Sequence, residues 1–218
     1  MRLGVHYKMK KYRKLIQFAF LLIFFFIISK GNMFIWLGLF LISLIGATIF
    51  GRFYCGYICP MNTVMGATGI LSKKLNWRTK SVPKVLRSKY LPWIVLLLMI
   101  GTMVLSKKVF HQEVPILILL MAVSILVTLR YEEWVFHNHI CPYGALLSLT
   151  GGWAKFSTKV EPNSCIGCKK CETVCPSKAI SVNSETKVAQ IDQSTCHQCQ
   201  ACTLVCPKNA ILYTARLK

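Results

Sequence analysis

Four apolar runs dominate the first 130 positions of the chain. They lie at about 13–30, 33–50, 90–106 and 114–130, and a short turn joins the two members of each pair. The centres of the last two runs have no polar face, unlike an amphipathic surface helix. All four approach the length that crosses a bilayer as a helix, although the last two are near the lower limit. The pattern predicts four transmembrane helices. The alternative is that the last two runs are buried helices of a soluble protein.

Basic side chains concentrate in two of the segments that flank these runs. Residues 1–14 carry six of them, and residues 51–89 carry eight together with no acidic side chain. The two opposite turns carry only Lys30 in one case and Lys107 with Lys108 in the other. Basic loops remain on the cytoplasmic side of a membrane. We therefore predict a multi-pass protein of the cytoplasmic membrane whose N- and C-termini both lie in the cytoplasm.

The overall composition agrees with a membrane protein. The chain is 54% hydrophobic and 16% charged, which excludes a disordered chain. Its 27 basic and 7 acidic side chains give a net charge of +20. Such a charge is also typical of nucleic-acid-binding proteins, but here the basic residues flank apolar runs. We expect the lipid bilayer as a partner and no nucleic acid.

The last quarter of the chain contains a repeated cysteine pattern. Three cysteines spaced by two residues are followed, after three more residues, by Cys-Pro, and the whole pattern returns 31 residues later. The first copy is Cys165, Cys168, Cys171 and Cys175-Pro176, and the second is Cys196, Cys199, Cys202 and Cys206-Pro207. This spacing is the bacterial ferredoxin run. The alternatives are a disulfide scaffold, which needs an oxidising compartment, or zinc sites, which usually combine cysteine pairs across a long gap.

The repeated pattern closely resembles the family of ferredoxins with two [4Fe–4S] clusters. In that family the fourth cysteine of each run ligates the other cluster. The resemblance therefore implies a first cysteine set of Cys165, Cys168, Cys171 and Cys206 for one cluster. It implies a second cysteine set of Cys196, Cys199, Cys202 and Cys175 for the other.

Three further cysteines belong to two Cys-Pro motifs, at 52–60 and 137–144. In each motif the proline stands where a short helix would begin, and it favours an extended backbone for the preceding cysteine. One hypothesis is a third iron–sulfur site, formed by Cys55, Cys59, Cys141 and His137, with His139 as the competing fourth ligand. Histidine is an accepted ligand in such clusters, as in Rieske centres. The alternative is that these cysteines cap re-entrant helices and the histidines lie at the headgroup boundary.

Four spans, two Cys-Pro motifs and a C-terminal pair of ferredoxin runs resemble the NapH family of membrane ferredoxins over nearly the whole chain. The NosR and CcoG types share this core. The chain departs from the pattern at His137, where the second motif would begin with cysteine. The resemblance implies membrane electron transfer, in several members between the quinone pool and reductases or in the maturation of reductases.

We therefore predict an α-helical membrane protein with four transmembrane helices and a small α+β ferredoxin-like domain. The predicted parts are a basic cytoplasmic arm at 1–14, a membrane domain at 15–154 and the two-[4Fe–4S] domain at 155–218. The predicted function is to relay single electrons between a cytosolic or quinol donor and a membrane-associated redox partner, as an electron-transfer subunit with no substrate site of its own. Expected partners are a ferredoxin, flavoprotein or reductase, and quinone. The alternatives are an assembly factor of the CcoG type or a redox sensor.

Overall fold

Helices occupy the N-terminal two thirds of the chain, and the strands lie in the C-terminal third. The computed structural model describes residues 2–79, 81–106, 108 and 116–215. The helices before the strands are α1 (Arg2–Ser29), α2 (Met33–Phe50), α3 (Pro60–Lys74), α4 (Leu91–Leu105), α5 (Ile116–Arg130), α6 (Glu133–His139) and α7 (Pro142–Gly151). A π-helical turn at Tyr54–Ile58 separates α2 from α3, and a 3-10 turn at Lys84–Arg87 precedes α4.

The first helix is longer than the predicted span. It begins at Arg2, so the predicted basic arm continues into the apolar part as one helix. Lysine and arginine are good helix formers, and no proline interrupts this stretch. Within the described residues, Tyr12–Ser29 is the one stretch of helix long and apolar enough to cross a membrane. Phe34–Phe50, Leu91–Leu105 and Ile116–Arg130 are shorter apolar helices, and the start of the fourth predicted span, at 114–115, lies outside the described residues.

The chain divides into two compact units. One comprises Met1–Pro60 with Leu146–Lys218, and the other comprises Met61–Ala145. The first two apolar helices thus share a unit with the cysteine-rich region, whereas α4 and α5 belong to the second unit. The predicted boundaries at 14 and 154 stay a prediction.

Aromatic side chains pack α2 against both α1 and the π-helical turn. Phe24 and Trp36 meet edge to face with ring centroids 4.9 Å apart, and Phe40 meets Tyr54 in the same way at 5.4 Å. The indole N–H of Trp36 donates a hydrogen bond to the Tyr54 hydroxyl at 3.0 Å. Buried aromatic pairs of this kind stabilise beyond their area burial, so the π-helical turn is held firmly against the hairpin of α1 and α2.

The cysteine-rich region folds as two small two-stranded sheets and two short helices. Strand β1 (Phe156–Val160) pairs antiparallel with β4 (Ile211–Ala215), and β2 (Ile180–Val182) pairs antiparallel with β3 (Ala189–Ile191). Helices α8 (Lys170–Val174) and α9 (Ala201–Val205) lie within the two cysteine runs, and each ends just before the fourth cysteine of its run. The core is formed by Ile180, Ala189 and Ile211 with Cys171 and Cys202. So small an apolar core cannot stabilise a domain alone, and metal binding is the usual supplement.

In the second unit, hydrogen bonds join the end of α3 to the end of α5. The buried Ser72 hydroxyl donates to the Leu129 carbonyl, and the Thr79 amide donates to the Arg130 carbonyl at 2.8 Å. Arg78 and Glu133 approach within 3.9 Å. Serine is suited to this role because its hydroxyl can donate to a backbone carbonyl.

Candidate iron–sulfur sites

The two cysteine runs share one backbone conformation. Left-handed residues recur at the same places in both copies, 31 residues apart, and most of them are not glycine. The pairs and their φ angles are Gly167 (65°) with Gln198 (51°), Lys169 (58°) with Gln200 (55°), and Lys178 (50°) with Asn209 (52°). A positive φ is uncommon outside glycine, so its repetition shows that both runs wrap in the same way.

Backbone amides point at the cysteine sulfurs. The amides of Ala179 and Ala210 each donate to the sulfur of the cysteine four residues earlier, Cys175 and Cys206, at 3.3 Å in both copies. The Ala189 amide also lies 3.5 Å from the Cys165 sulfur. Such N–H groups stabilise negative charge on sulfur, and they are among the factors that set the potential of an iron–sulfur cluster.

The first cysteine set lines a single open cavity. Three of its members come from the first run, and the fourth, Cys206, comes from the second. Ala189, Ala210 and Ile211 complete the apolar part of the wall. The pocket thus brings together cysteines from both runs, and the crossed ligand assignment stays a prediction.

The second cysteine set is also brought together, and it is more deeply buried. The pKa of both Cys196 and Cys202 is raised to about 12, mainly by burial and in addition by the neighbouring thiols, including that of Cys175 from the first run. Burial also raises the pKa of Cys199. Thiols in such surroundings become thiolates when a metal supplies compensating positive charge.

The donor set fits a cluster and not a single ion. Among the described residues, no three His, Cys, Asp or Glu side chains converge on the position of one metal ion. Four thiols arranged around a cavity with amides directed at their sulfurs suit a group in which each thiolate binds its own iron. When bound, such a group accepts and releases single electrons.

The two cysteine loops, at 165–171 and 196–202, differ in exposure. In the first loop Ile166, Cys168, Lys169 and Lys170 are exposed, whereas no residue of the second loop is. The contrast is greatest at equivalent positions, since Ile166 is 55% exposed and His197 only 1%. One copy of the repeat thus faces solvent and the other is covered.

The cover of the second loop comes from α1 and the segment after α2. The Arg13 guanidinium donates to the Cys199 carbonyl at 3.0 Å, and Arg52 donates to the Ser194 carbonyl at 2.8 Å. Gly56 lies against the backbone oxygen of His197 so closely that a Cβ atom there would overlap it. In the sequence, Arg13 is only one of six basic residues at 1–14, and little distinguishes Arg52. The one signal for Arg52 was its position three residues before Cys55.

The first Cys-Pro motif is buried around the π-helical turn. Cys55 lies within this turn, and Cys59 ends it with an extended backbone (φ −62°, ψ 117°) immediately before α3. The Nη2 of the fully buried Arg52 is 3.8 Å from the Cys55 sulfur. The predicted helix start at Pro60 is confirmed, and so is the one at Pro142.

The second Cys-Pro motif forms the corner between α6 and α7. His137 is buried, and its Nε2 is 3.1 Å from the Asn62 side-chain oxygen. The Gly144 amide lies 3.4 Å from the sulfur of the buried Cys141. Burial lowers the pKa of His139, and the nearby Arg87 lowers it further. Cys55 and Cys59 belong to one compact unit, and His137, His139 and Cys141 belong to the other. The third iron–sulfur site stays a prediction.

Family models cover both halves of the chain. A model described as a 4Fe-4S dicluster domain matches residues 164–210, and one described as a 4Fe-4S binding domain matches residues 32–78 and 114–161. Both matches are to domains that bind 4Fe-4S clusters. No solved structure matches the chain.

Curated relatives also resemble the chain over more than half of its length. The ferredoxin-type protein NapH of Haemophilus influenzae is 28% identical over 162 residues, 64% of this chain and 55% of the relative. The methylamine utilization ferredoxin-type protein MauN of Methylobacillus flagellatus is 29% identical over 141 residues, 58% of this chain and 48% of the relative. An uncharacterized protein of Methanocaldococcus jannaschii is 30% identical over 62% of this chain and 56% of its own length.

The chain spans about half the length of the curated relatives it matches. Their names and the two family models confirm the resemblance predicted from the cysteine patterns. The chain is similar to ferredoxin-type proteins such as NapH and MauN, and its residues 164–210 match a 4Fe-4S dicluster domain.

Proposed function

We propose that this protein is a membrane-anchored electron carrier with two [4Fe–4S] clusters, one on each cysteine set. The observation that carries the proposal is the cavity lined by the first cysteine set, because cysteines from both runs meet there. Within the second cysteine set, neighbouring thiols raise the pKa values of Cys196 and Cys202, so these thiols lie close together. Their proximity supports a second cluster site. The amides of Ala179, Ala189 and Ala210 hold negative charge on the sulfurs.

Membrane anchoring is supported by the apolar surface of the helices. Large apolar side chains are exposed on α1, α2, α4 and α5, where water would disfavour them. Examples are Phe18, Phe26, Ile42, Ile45, Leu97, Leu98, Leu119 and Leu126. We assign these surfaces to lipid contact, and we assign the four apolar helices to four spans with both termini in the cytoplasm.

We assign the electron donor and the electron acceptor from this placement at the cytoplasmic face of the membrane. Electrons pass between a cytosolic ferredoxin or flavoprotein, or a quinol, and a redox partner at the membrane. The chain's residues bind the clusters, exclude water from the second set and present the first set to solvent. The proposal includes no substrate site in this chain.

A third iron–sulfur site at the Cys-Pro motifs would extend this route towards the bilayer. Cys55, Cys59 and Cys141 would supply thiolates, and His137 or His139 would supply an imidazole. The regions that carry these residues match the model described as a 4Fe-4S binding domain, which supports the proposal. The burial of all three cysteines also supports it.

The first test is the amount of iron and acid-labile sulfide per chain in anaerobically purified protein, together with its EPR spectrum. Two four-iron clusters predict about eight irons. A load of ten to twelve that falls to about eight in Cys59→Ala would establish a third site. A chain with little iron and no EPR signal after reduction would refute the electron-carrier proposal.

Ligand substitutions test the assignment of each set. We expect Cys199→Ser to lose the second cluster and Cys168→Ser the first, each lowering iron by about four atoms per chain. The two variants control for each other, since each should retain the EPR signal of the remaining cluster. Unchanged iron in either variant would show that its cysteine is not a ligand.

A further inference from the structure

The exposed rim of the first cysteine loop has no counterpart in the second loop. Ile166, Cys168, Lys169 and Lys170 are exposed there, and Lys208 from the second run borders the same cavity. We propose that three lysines and one isoleucine form the docking surface for a water-soluble redox protein with an acidic face. This surface, the lysine rim, comprises Lys169, Lys170, Lys208 and Ile166. The inference rests on the proposed function and names the partner class at the first cysteine set.

The cover of the second loop makes the first loop the accessible one. Arg13 and Gly56 contact the backbone of residues 197–199, so a partner protein cannot approach the second cysteine set through its own loop. The corresponding stretch at 166–170 is open, and the cavity behind it opens to solvent. Electron exchange with a soluble protein therefore requires the first loop.

The charge of the rim selects an acidic partner. Three lysines line the cavity, and no carboxylate is among its described lining residues. Glu172, the acidic side chain of the first run, is not among these lining residues, and it accepts a hydrogen bond from the Val182 amide. Complementary charge steers two proteins together, and it raises the association rate by about 10-fold or more at low salt.

The same surface also offers an apolar side chain. Ile166 is 55% exposed, two residues before the exposed Cys168, and it lines the same cavity as the three lysines. Transient redox interfaces are small, with a central apolar contact and a charged rim. The geometry thus suits a partner that docks briefly over the first cysteine set.

The test uses the full-length, cluster-loaded protein in nanodiscs of zwitterionic lipid. The probe is an acidic plant-type [2Fe–2S] ferredoxin that has been reduced and freed of excess reductant. Stopped-flow absorbance gives the second-order rate constant of electron transfer. We compare Lys169→Gln/Lys170→Gln with the control Lys73→Gln/Lys74→Gln, which removes the same charge from two adjacent exposed lysines at the end of α3.

We expect the rim pair to slow the reaction about 3- to 10-fold at low salt and the control pair to leave it nearly unchanged. The difference should disappear at about 1 M salt, where the screening length is about 3 Å. Lys169→Arg/Lys170→Arg keeps the charge and should retain the wild-type rate. Equal rates for both glutamine pairs, with equal iron content, would overturn the docking proposal and leave the electron-carrier proposal intact.

A membrane-surface role for the rim has a different signature. In that case wild-type nanodiscs float with added phosphatidylglycerol vesicles, nanodiscs with Lys169→Gln/Lys170→Gln do not, and the two ferredoxin rates are equal. This result would show that the lysines bind lipid headgroups, and it would overturn the proposal. Loss of iron from the wild-type protein would instead refute the proposed function, and iron analysis detects it before any rate is measured.

Discussion

Arg13 is the residue whose role depends most on tertiary contacts. Its guanidinium donates to the Cys199 carbonyl, and its positive charge opposes the rise in the pKa of Cys199 that burial causes. A cluster becomes more negative when it is reduced, so a cation beside it favours reduction. Net charge and hydrogen bonding around the sulfurs are known to set cluster potentials. We infer that Arg13 raises the potential of the second cluster.

Replacing Arg13 by glutamine should therefore lower the midpoint potential of the second cluster. One charge at an effective dielectric constant of about 20 gives a shift of tens of millivolts. An EPR-monitored redox titration measures it, with the first cluster as an internal reference. Lys14→Gln removes an exposed charge from the same helix and is the matched control. Equal potentials in the wild type and in Arg13→Gln would contradict the inference.

Residues of this kind show why the site was only partly predictable. The candidate cysteine ligands could be proposed from the sequence because their spacing is local and chemically distinctive. Arg13 and Cys199 are separated by 186 positions, and only folding brings them together. The sequence displayed Arg13 as one of six basic residues in the N-terminal arm, with nothing to distinguish it from Lys14.

At the scale of elements, the π-helical turn joins the helical hairpin to the iron–sulfur domain. Its aromatic side packs on α2, and its backbone meets the second cysteine loop through Gly56. Gln17 of α1 also donates to the Gly56 carbonyl at 2.8 Å. The close approach explains why glycine stands within the first Cys-Pro motif.

Gly56→Ala should destabilise the second cysteine loop. The added Cβ would overlap the backbone oxygen of His197, which cannot move as cheaply as a flexible side chain. We expect a cost of about 1–3 kcal/mol, the range of overpacking substitutions, and earlier loss of cluster absorbance on heating. Gly66→Ala on α3 meets nothing within 4 Å and should leave the transition unchanged. An unaltered transition in Gly56→Ala would mean that this contact does not support the loop.

Element boundaries were predicted with uneven success for physical reasons. Helix starts at Pro60 and Pro142 followed from proline geometry and are confirmed. The sequence does not reveal that α1 continues back to Arg2, because the change from basic to apolar residues resembles an element boundary. Charge distribution marks where a membrane surface would lie, whereas helix propensity decides where the helix begins.

On the scale of the whole molecule, the proposed membrane orientation makes a direct prediction. A fluorescent protein that folds only in the cytoplasm should be active when fused after Lys218. Alkaline phosphatase, active only outside, should be active when inserted at Gly31, where the turn after α1 has open space around it. Positive loops on the cytoplasmic side are the physical reason. The opposite pattern would refute the topology, and phosphatase fused after Lys218 is the negative control.

The sequence by itself determined the chemistry and the local form of this protein. Cysteine spacing defines the ferredoxin runs, apolar runs define the helices, and prolines define two helix starts, because each signal acts over a few residues. The tertiary structure alone decided that the two copies of one repeat have different surroundings. The first loop is open and lysine-rimmed, and the second lies beneath Arg13 and Gly56. Burial depends on which distant segment packs on a loop, and two nearly identical cysteine patterns cannot encode that difference locally.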